Sequence, residues 1–175
     1  RQIRSSRIML NTVTMLLIAL VAVGCSHDVT LDDIRAMQAA GQMKTSVQPL
    51  RDMVDAKTDD PEVYFLYGRA LSAIGEHDAA LWPLRRAMES EDWLVPAGMQ
   101  FANNAFDTGN NETAIDVLDK VIEVSPEKVS AIVLRARARV ESRKNVELAL
   151  ADADLALEID PDSTAARIVR ILALL

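Results

Sequence analysis

Reactive side chains are few in this chain, and their spacing argues against catalysis. The two histidines are His27 and His77. His77 lies between Glu76 and Asp78, but no nucleophile and no orienting acid is spaced around it as a general base would need. A single cysteine, Cys25, excludes an internal disulfide and a CxxC metal site. Asp152, Asp154, Glu158, Asp160 and Asp162 gather near one helix end. They lack the spacing of a twelve-residue calcium loop and are expected to form a solvated acidic face. No glycine-rich phosphate loop is present. The expectation is a protein that is not an enzyme, with no metal, no cofactor and no small-molecule substrate.

What remains chemically usable is the one thiol and its flank. Arg1, Arg4 and Arg7 form a positive stretch, Met15 to Val23 is an unbroken apolar run, and Gly24 precedes Cys25. The run is shorter than the roughly 20 apolar residues that cross a bilayer, so a cleaved export signal fits better than a spanning helix. The flank Ala22-Val23-Gly24-Cys25 resembles the lipobox of bacterial lipoproteins. That resemblance implies removal of residues 1–24, a diacylglycerol on the Cys25 sulfur, an acylated new N-terminus and a tether over residues 25–30. More than one acyl chain would give stable anchoring, at about 0.8 kcal/mol per buried CH₂. Ser26 stands where an aspartate would, by the same resemblance, favour the inner membrane, so the outer membrane and its periplasmic face are the expected location. Two alternatives stay open: a secretory signal with an unmodified cysteine, and an uncleaved anchor over Ile8 to Gly24.

Half the chain is apolar, 4% is aromatic, and only six residues are glycine. Alanine, leucine, glutamate and arginine, which lose little freedom in a helical turn, dominate from about residue 28 onward. Runs of β-branched residues between turn signals are nearly absent, so the chain is expected to be all-α. The formal net charge is −7. Taking Arg1, Arg4 and Arg7 away from the 19 basic residues leaves 16 against 26 acidic ones, or −10. Such a chain repels nucleic acid, and no nucleic-acid partner is expected.

The region after the signal repeats itself. Gly41, Gly75 and Gly109 are spaced 34 residues apart, each between two helical patterns. Pro49-Leu50-Arg51 recurs as Pro83-Leu84-Arg85 at the same interval. Small residues at Ser46, Ala80 and Ala114 are followed by Leu50, Leu84 and Leu118, then Met53, Ala87 and Val121. Steps of four and three keep these on one helical face. The pattern resembles the tetratricopeptide repeat (TPR), which implies an α-α superhelix of helix-turn-helix units. Unit 61–94 matches best, through Tyr64, Tyr67, Gly68, Ala80, Leu84 and Ala87; unit 95–128 keeps Phe101, Ala102, Ala114, Leu118 and Pro126. Residues 129–163 match through Ala136, Ala149, Ala156 and Pro161, with one extra residue near Lys144 and Arg143 where the turn glycine belongs. Residues 27–60 form a degenerate first unit with Ile34 at a small-residue position, and 164–175 a closing helix or the start of another repeat.

In this family the first helix of each pair lines a concave surface, and phase assigns three rows to it. Leu31, Phe65, Met99 and Val133 form one; Arg35, Arg69, Asn103 and Arg137 the next; Gln38, Ser72, Phe106 and Val140 the third. Arginines can grip carboxylates with two prongs, Asn103 can pair with backbone amides, and Phe65, Met99 and Phe106 would anchor apolar groups. The ligand this implies is a protein or peptide, acid-rich in the sharpest form. The same arginines could instead pair with nearby acids, and the apolar row could be core if the phase is off by one residue. Trp82 and Trp93 are expected to be packing residues, and Pro49 and Pro83 to bend their helices modestly.

The apolar end Ile171 to Leu175 predicts that further repeats follow, that a partner covers it, or that the last helix folds back. With Arg1 as the first residue, a longer parent chain is the expectation. The functional expectation is a lipid-anchored envelope adaptor, similar to TPR lipoproteins that assemble pili, secretins and outer-membrane machines. The alternative is a self-associating spacer.

Overall fold

The computed structural model describes residues 29–175, and the expected signal segment, Cys25 and His27 lie outside them. Among the described residues there are nine helices and no strand. They are α1 (Leu31–Ala39), α2 (Met43–Asp55), α3 (Pro61–Ala73), α4 (His77–Ala87), α5 (Glu91–Asp107), α6 (Asn111–Val124), α7 (Val129–Ser142), α8 (Val146–Ile159) and α9 (Thr164–Leu174).

The turns within the first three pairs share one hydrogen-bond design. Gly41 N–H donates to the Gln38 carbonyl and Gln42 N–H to that of Met37. Gly75 with Glu76, and Gly109 with Asn110, repeat the same two bonds on Ser72 and Leu71 and on Phe106 and Ala105. This closure needs a left-handed residue, and the three glycines hold φ of 75°, 85° and 78°. The fourth turn differs, as its sequence predicts. Arg143 takes the left-handed position at φ 53°, Asn145 follows at φ 114°, and the extra residue lies between them. Starts are marked too: the Asp60 carboxylate accepts from Glu62 N–H ahead of Pro61, and the Ser163 hydroxyl accepts from Ala166 N–H.

Each helix packs on its neighbours in sequence, and α3, α5, α7 and α9 also pack on one another in succession. Leu50, Leu84 and Leu118, on the second helices of the first three pairs, are fully buried. Small residues let the backbones close in. A Cβ on Gly68 would lie 2.4 Å from the Leu84 Cγ, and one on Gly98 would lie 2.6 Å from a Val121 methyl. Pro49 and Pro83 stay inside α2 and α4, and Pro96 sits inside α5 in the same way.

Both tryptophans pack on an aromatic neighbour: Trp82, 52% exposed, meets Tyr64 in a T-shaped contact at 5.8 Å between ring centroids, and Trp93 lies tilted against Phe65 at 4.8 Å. One expectation about side chains is corrected. Asp152 is not part of a solvated acidic face: it is 4% exposed and accepts from Arg135 through two nitrogens and from Arg139 through a third. Arg135 also reaches Asp119 at 2.7 Å, so α6, α7 and α8 are joined through charge. Burial penalises the Arg135 charge, yet the hydrogen bonds to Asp152 and Asp119 outweigh it and raise the guanidinium's pKa. Replacing Asp152 with alanine would leave two mostly buried cations without their shared carboxylate. We expect a loss of about 3–5 kcal/mol, measured by urea unfolding of the full chain.

Candidate ligand groove

The first helix of each pair (α1, α3, α5 and α7) carries the three predicted rows, and the structure sorts them by what else each side chain touches. In the first row Leu31, Phe65 and Met99 are half-buried, with part of each side chain open to a ligand. Val133 is not. It is 7% exposed and belongs to a core cluster with Ile132, Ala136, Ala153 and Val169. Because α9 packs on α7, the position that faces the groove in earlier units is covered here.

The polar row divides more sharply. Arg35 is exposed but already engaged: its Nε and Nη2 both meet the Glu62 carboxylate at 2.7 Å, and Nη1 reaches Asp32. It ties α1 to α3. Those hydrogen bonds from Arg35 hold the Glu62 carboxyl below its ordinary pKa. Arg69 lies over the Phe65 ring at 5.6 Å and donates from Nε to the Gln38 side-chain oxygen at 2.7 Å. Asn103 is exposed, with its amide nitrogen on the Met99 carbonyl of its own helix. Arg137 is exposed and stacks over the Phe106 ring at 4.8 Å. Among the described residues it makes no ion pair.

In the third row Gln38 is a structural residue. It is 3% exposed, donates to the Ser46 hydroxyl and the Leu66 carbonyl, and accepts from Arg69. Ser72 donates to the Gly68 carbonyl and accepts from Asn104. Phe106 and Val140 are half-buried.

Asn104 escaped the sequence reading. It is 1% exposed and donates to both Ser72 Oγ and the Gln100 carbonyl. Its amide nitrogen is therefore committed, so the 2.7 Å contact with His77 is an Nδ1–H donation to the Asn104 oxygen. His77 thus joins α4 to α5. The available signal was asparagine itself, a residue that helix interiors disfavour unless its amide is used.

Open groove residues are therefore Phe65, Met99, Asn103, Phe106 and Arg137, with Leu31 and Val140 at the margins and Arg69 partly committed. The combination offers aromatic faces, a thioether, an amide and a guanidinium whose donor edge meets no acid among the described residues.

No protein-family model matches the sequence, and no curated protein matches it. Solved structures do resemble the fold. YrrB aligns at TM-score 0.76 with 20% identity, over 94% of this chain and 88% of that one. MamA from Desulfovibrio magneticus RS-1 aligns at TM-score 0.71 with 16% identity, over 85% and 90%. The first TPR domain of Spaghetti (RPAP3) aligns at 0.59 with 18% identity, over 65% and 90%. The fold is the tetratricopeptide solenoid. At these identities the likeness extends to architecture, and the groove has to be read from this chain's own side chains.

Two substitutions separate structural from ligand-facing positions in this solenoid. Gln38→Ala should cost about 1–3 kcal/mol, because it removes a buried group with three hydrogen-bond partners. Arg35→Ala should matter chiefly through Glu62, because the Asp32 pair is an exposed one within the same helix and contributes little. The Glu62 pKa is depressed in the folded state, so the pair's contribution is present above the ordinary carboxylate range and is lost as pH falls through the depressed value. The difference in urea midpoint between the wild-type chain and Arg35→Ala should shrink below about pH 4 and vanish in stronger acid.

Proposed function

We propose that this chain is a non-enzymatic adaptor that holds an acid-bearing peptide of a partner protein in the groove of its first helices. The observation that carries the reading is Arg137. In a chain with more acids than bases, its guanidinium is exposed, stacked on Phe106 and free of any carboxylate among the described residues. Stacking fixes the plane and leaves the donor edge for a planar, two-oxygen acceptor. The neighbours support a peptide as the ligand class. YrrB is described as having an unusual peptide-binding site, and the Spaghetti domain was solved with the HSP90 peptide SRMEEVD, which is itself acidic.

Asn103 is the place to interrogate the groove, since it is exposed and makes only a local bond. A photo-crosslinking residue at 103, activated in membranes of the native organism, should trap one reproducible partner. Arg137→Glu should abolish that product, while Arg85→Glu, whose side chain lies over Phe101 away from these rows, should not. Trapping only further copies of this chain would replace the adaptor by the self-associating spacer.

We also propose that the adaptor is tethered through an acylated Cys25 in the bacterial envelope, on the outer-membrane side. Support comes from the arginine-led apolar segment and the Gly24-Cys25 junction. Growth with an alkyne fatty acid should label the wild-type chain and not Cys25→Ala, which should also leave the membrane fraction. Equal labelling of both, or none of either, would leave an unmodified secretory signal or an uncleaved anchor.

A further inference from the structure

Beyond Arg137 the groove continues into a trough that the repeat pattern did not predict. α7 and α9 part on one side and leave a volume of about 280 Å³ lined by Val140, Ile168, Val169 and Leu172, with Arg137 and Glu141 also bordering it. This is smaller than the roughly 300–1,000 Å³ of a small-molecule pocket and suits one or two apolar side chains. Ile168 and Leu172 are 53% and 47% exposed, so their apolar surface stands in water rather than in the core. Among the described residues the charges on its lining are the Arg137 guanidinium and the Glu141 carboxylate one helical turn further on, and these two make no ion pair with each other.

We infer that the trough and Arg137 form one bipartite subsite, which takes a peptide segment carrying a large apolar residue beside an aspartate or glutamate. The apolar side chain fills the trough between Val140 and Leu172, and the carboxylate lies on the donor edge of Arg137. Charge complementarity selects this occupant. An isolated apolar ligand would leave the guanidinium unpaired, and a basic one would be repelled by it. Among the described residues Arg137 pairs with no acid, although Arg35, Arg135, Arg139, Arg167 and Arg170 all do. Glu141 sets direction: an acid placed toward it meets a like charge, so the ligand's carboxylate is confined to the Phe106 side. The inference rests on the groove reading and narrows its ligand from acid-bearing to acid-plus-apolar.

A phage-displayed random dodecapeptide library, panned on the full chain, tests it. Enriched peptides should pair Leu, Ile, Met, Phe or Trp with Asp or Glu within three residues. Synthetic copies, followed by fluorescence anisotropy, should bind about tenfold or more weakly to Leu172→Glu, to Ile168→Glu and to Arg137→Glu. They should bind a few-fold more tightly to Glu141→Gln. Because positions 168 and 172 are half-exposed, the first two variants should keep the wild-type circular dichroism melt. Peptides that lose affinity with Arg137→Glu but not with either trough variant would overturn the subsite and leave the groove reading standing. No enriched peptide, or peptides indifferent to Arg137→Glu, would overturn both. Concentration-dependent sedimentation of the wild-type chain that disappears in Leu172→Glu would assign the trough to a second copy and overturn the proposal.

Discussion

Two helices can approach only as closely as the side chains between them allow, and in this array glycine and alanine set that limit. Gly68 brings α3 against Leu84 with no room for a methyl group, and Gly98 does the same for α5 against Val121. Ala80, Ala87, Ala114 and Ala136 are fully buried at comparable positions. With so little volume at the crossings, one fully buried leucine occupies the space left in each of the first three pairs (Leu50, Leu84, Leu118). The helices lie close enough for side-chain hydrogen bonds to pass from one pair to the next, as Gln38 does to Leu66 and Asn104 to Ser72. Groove, network and core are all consequences of that spacing.

Within this frame the arginines do three kinds of work. Arg135 and Arg139 are mostly buried and share Asp152, so their charge is spent on cohesion. Arg35 staples α1 to α3 at the surface through Glu62. Arg69, Arg85 and Arg137 lie over phenylalanine rings, Arg86 over Tyr64, and of these four only Arg86 also holds a carboxylate, that of Glu89. An aromatic face satisfies the plane of a guanidinium without consuming its donors, whereas a carboxylate consumes them. Residue type alone does not say which of these an arginine will meet. The answer depends on which neighbouring helix brings an acid or a ring within reach.

That is also where the sequence stopped being legible. A 34-residue period fixes which side chains share a helical face, and it placed the turn glycines, the leucine row and the altered fourth turn. It does not say what covers a face. Val133 keeps the phase of Leu31, Phe65 and Met99 yet is core, because α9 closes over it. Gln38 keeps the phase of Phe106 yet is buried, because Arg69 and Leu66 reach across to it. Asp152 looked like one acid among several, and only the fold brings Arg135 and Arg139 to its oxygens.

The fourth turn has a mechanical consequence. The first three pairs are each clasped by a glycine closure of two backbone hydrogen bonds, while the fourth holds two non-glycine residues, Arg143 and Asn145, at positive φ. Cohesion between α7 and α8 comes from the apolar cluster of Ile132, Val133 and Ala136 with Ala153 and Ala156, and also from the buried Asp152 carboxylate and its two guanidiniums. The joint between α7 and α8 thus depends on charge as well as on apolar packing, so a substitution that spares volume but removes the carboxylate would still loosen it.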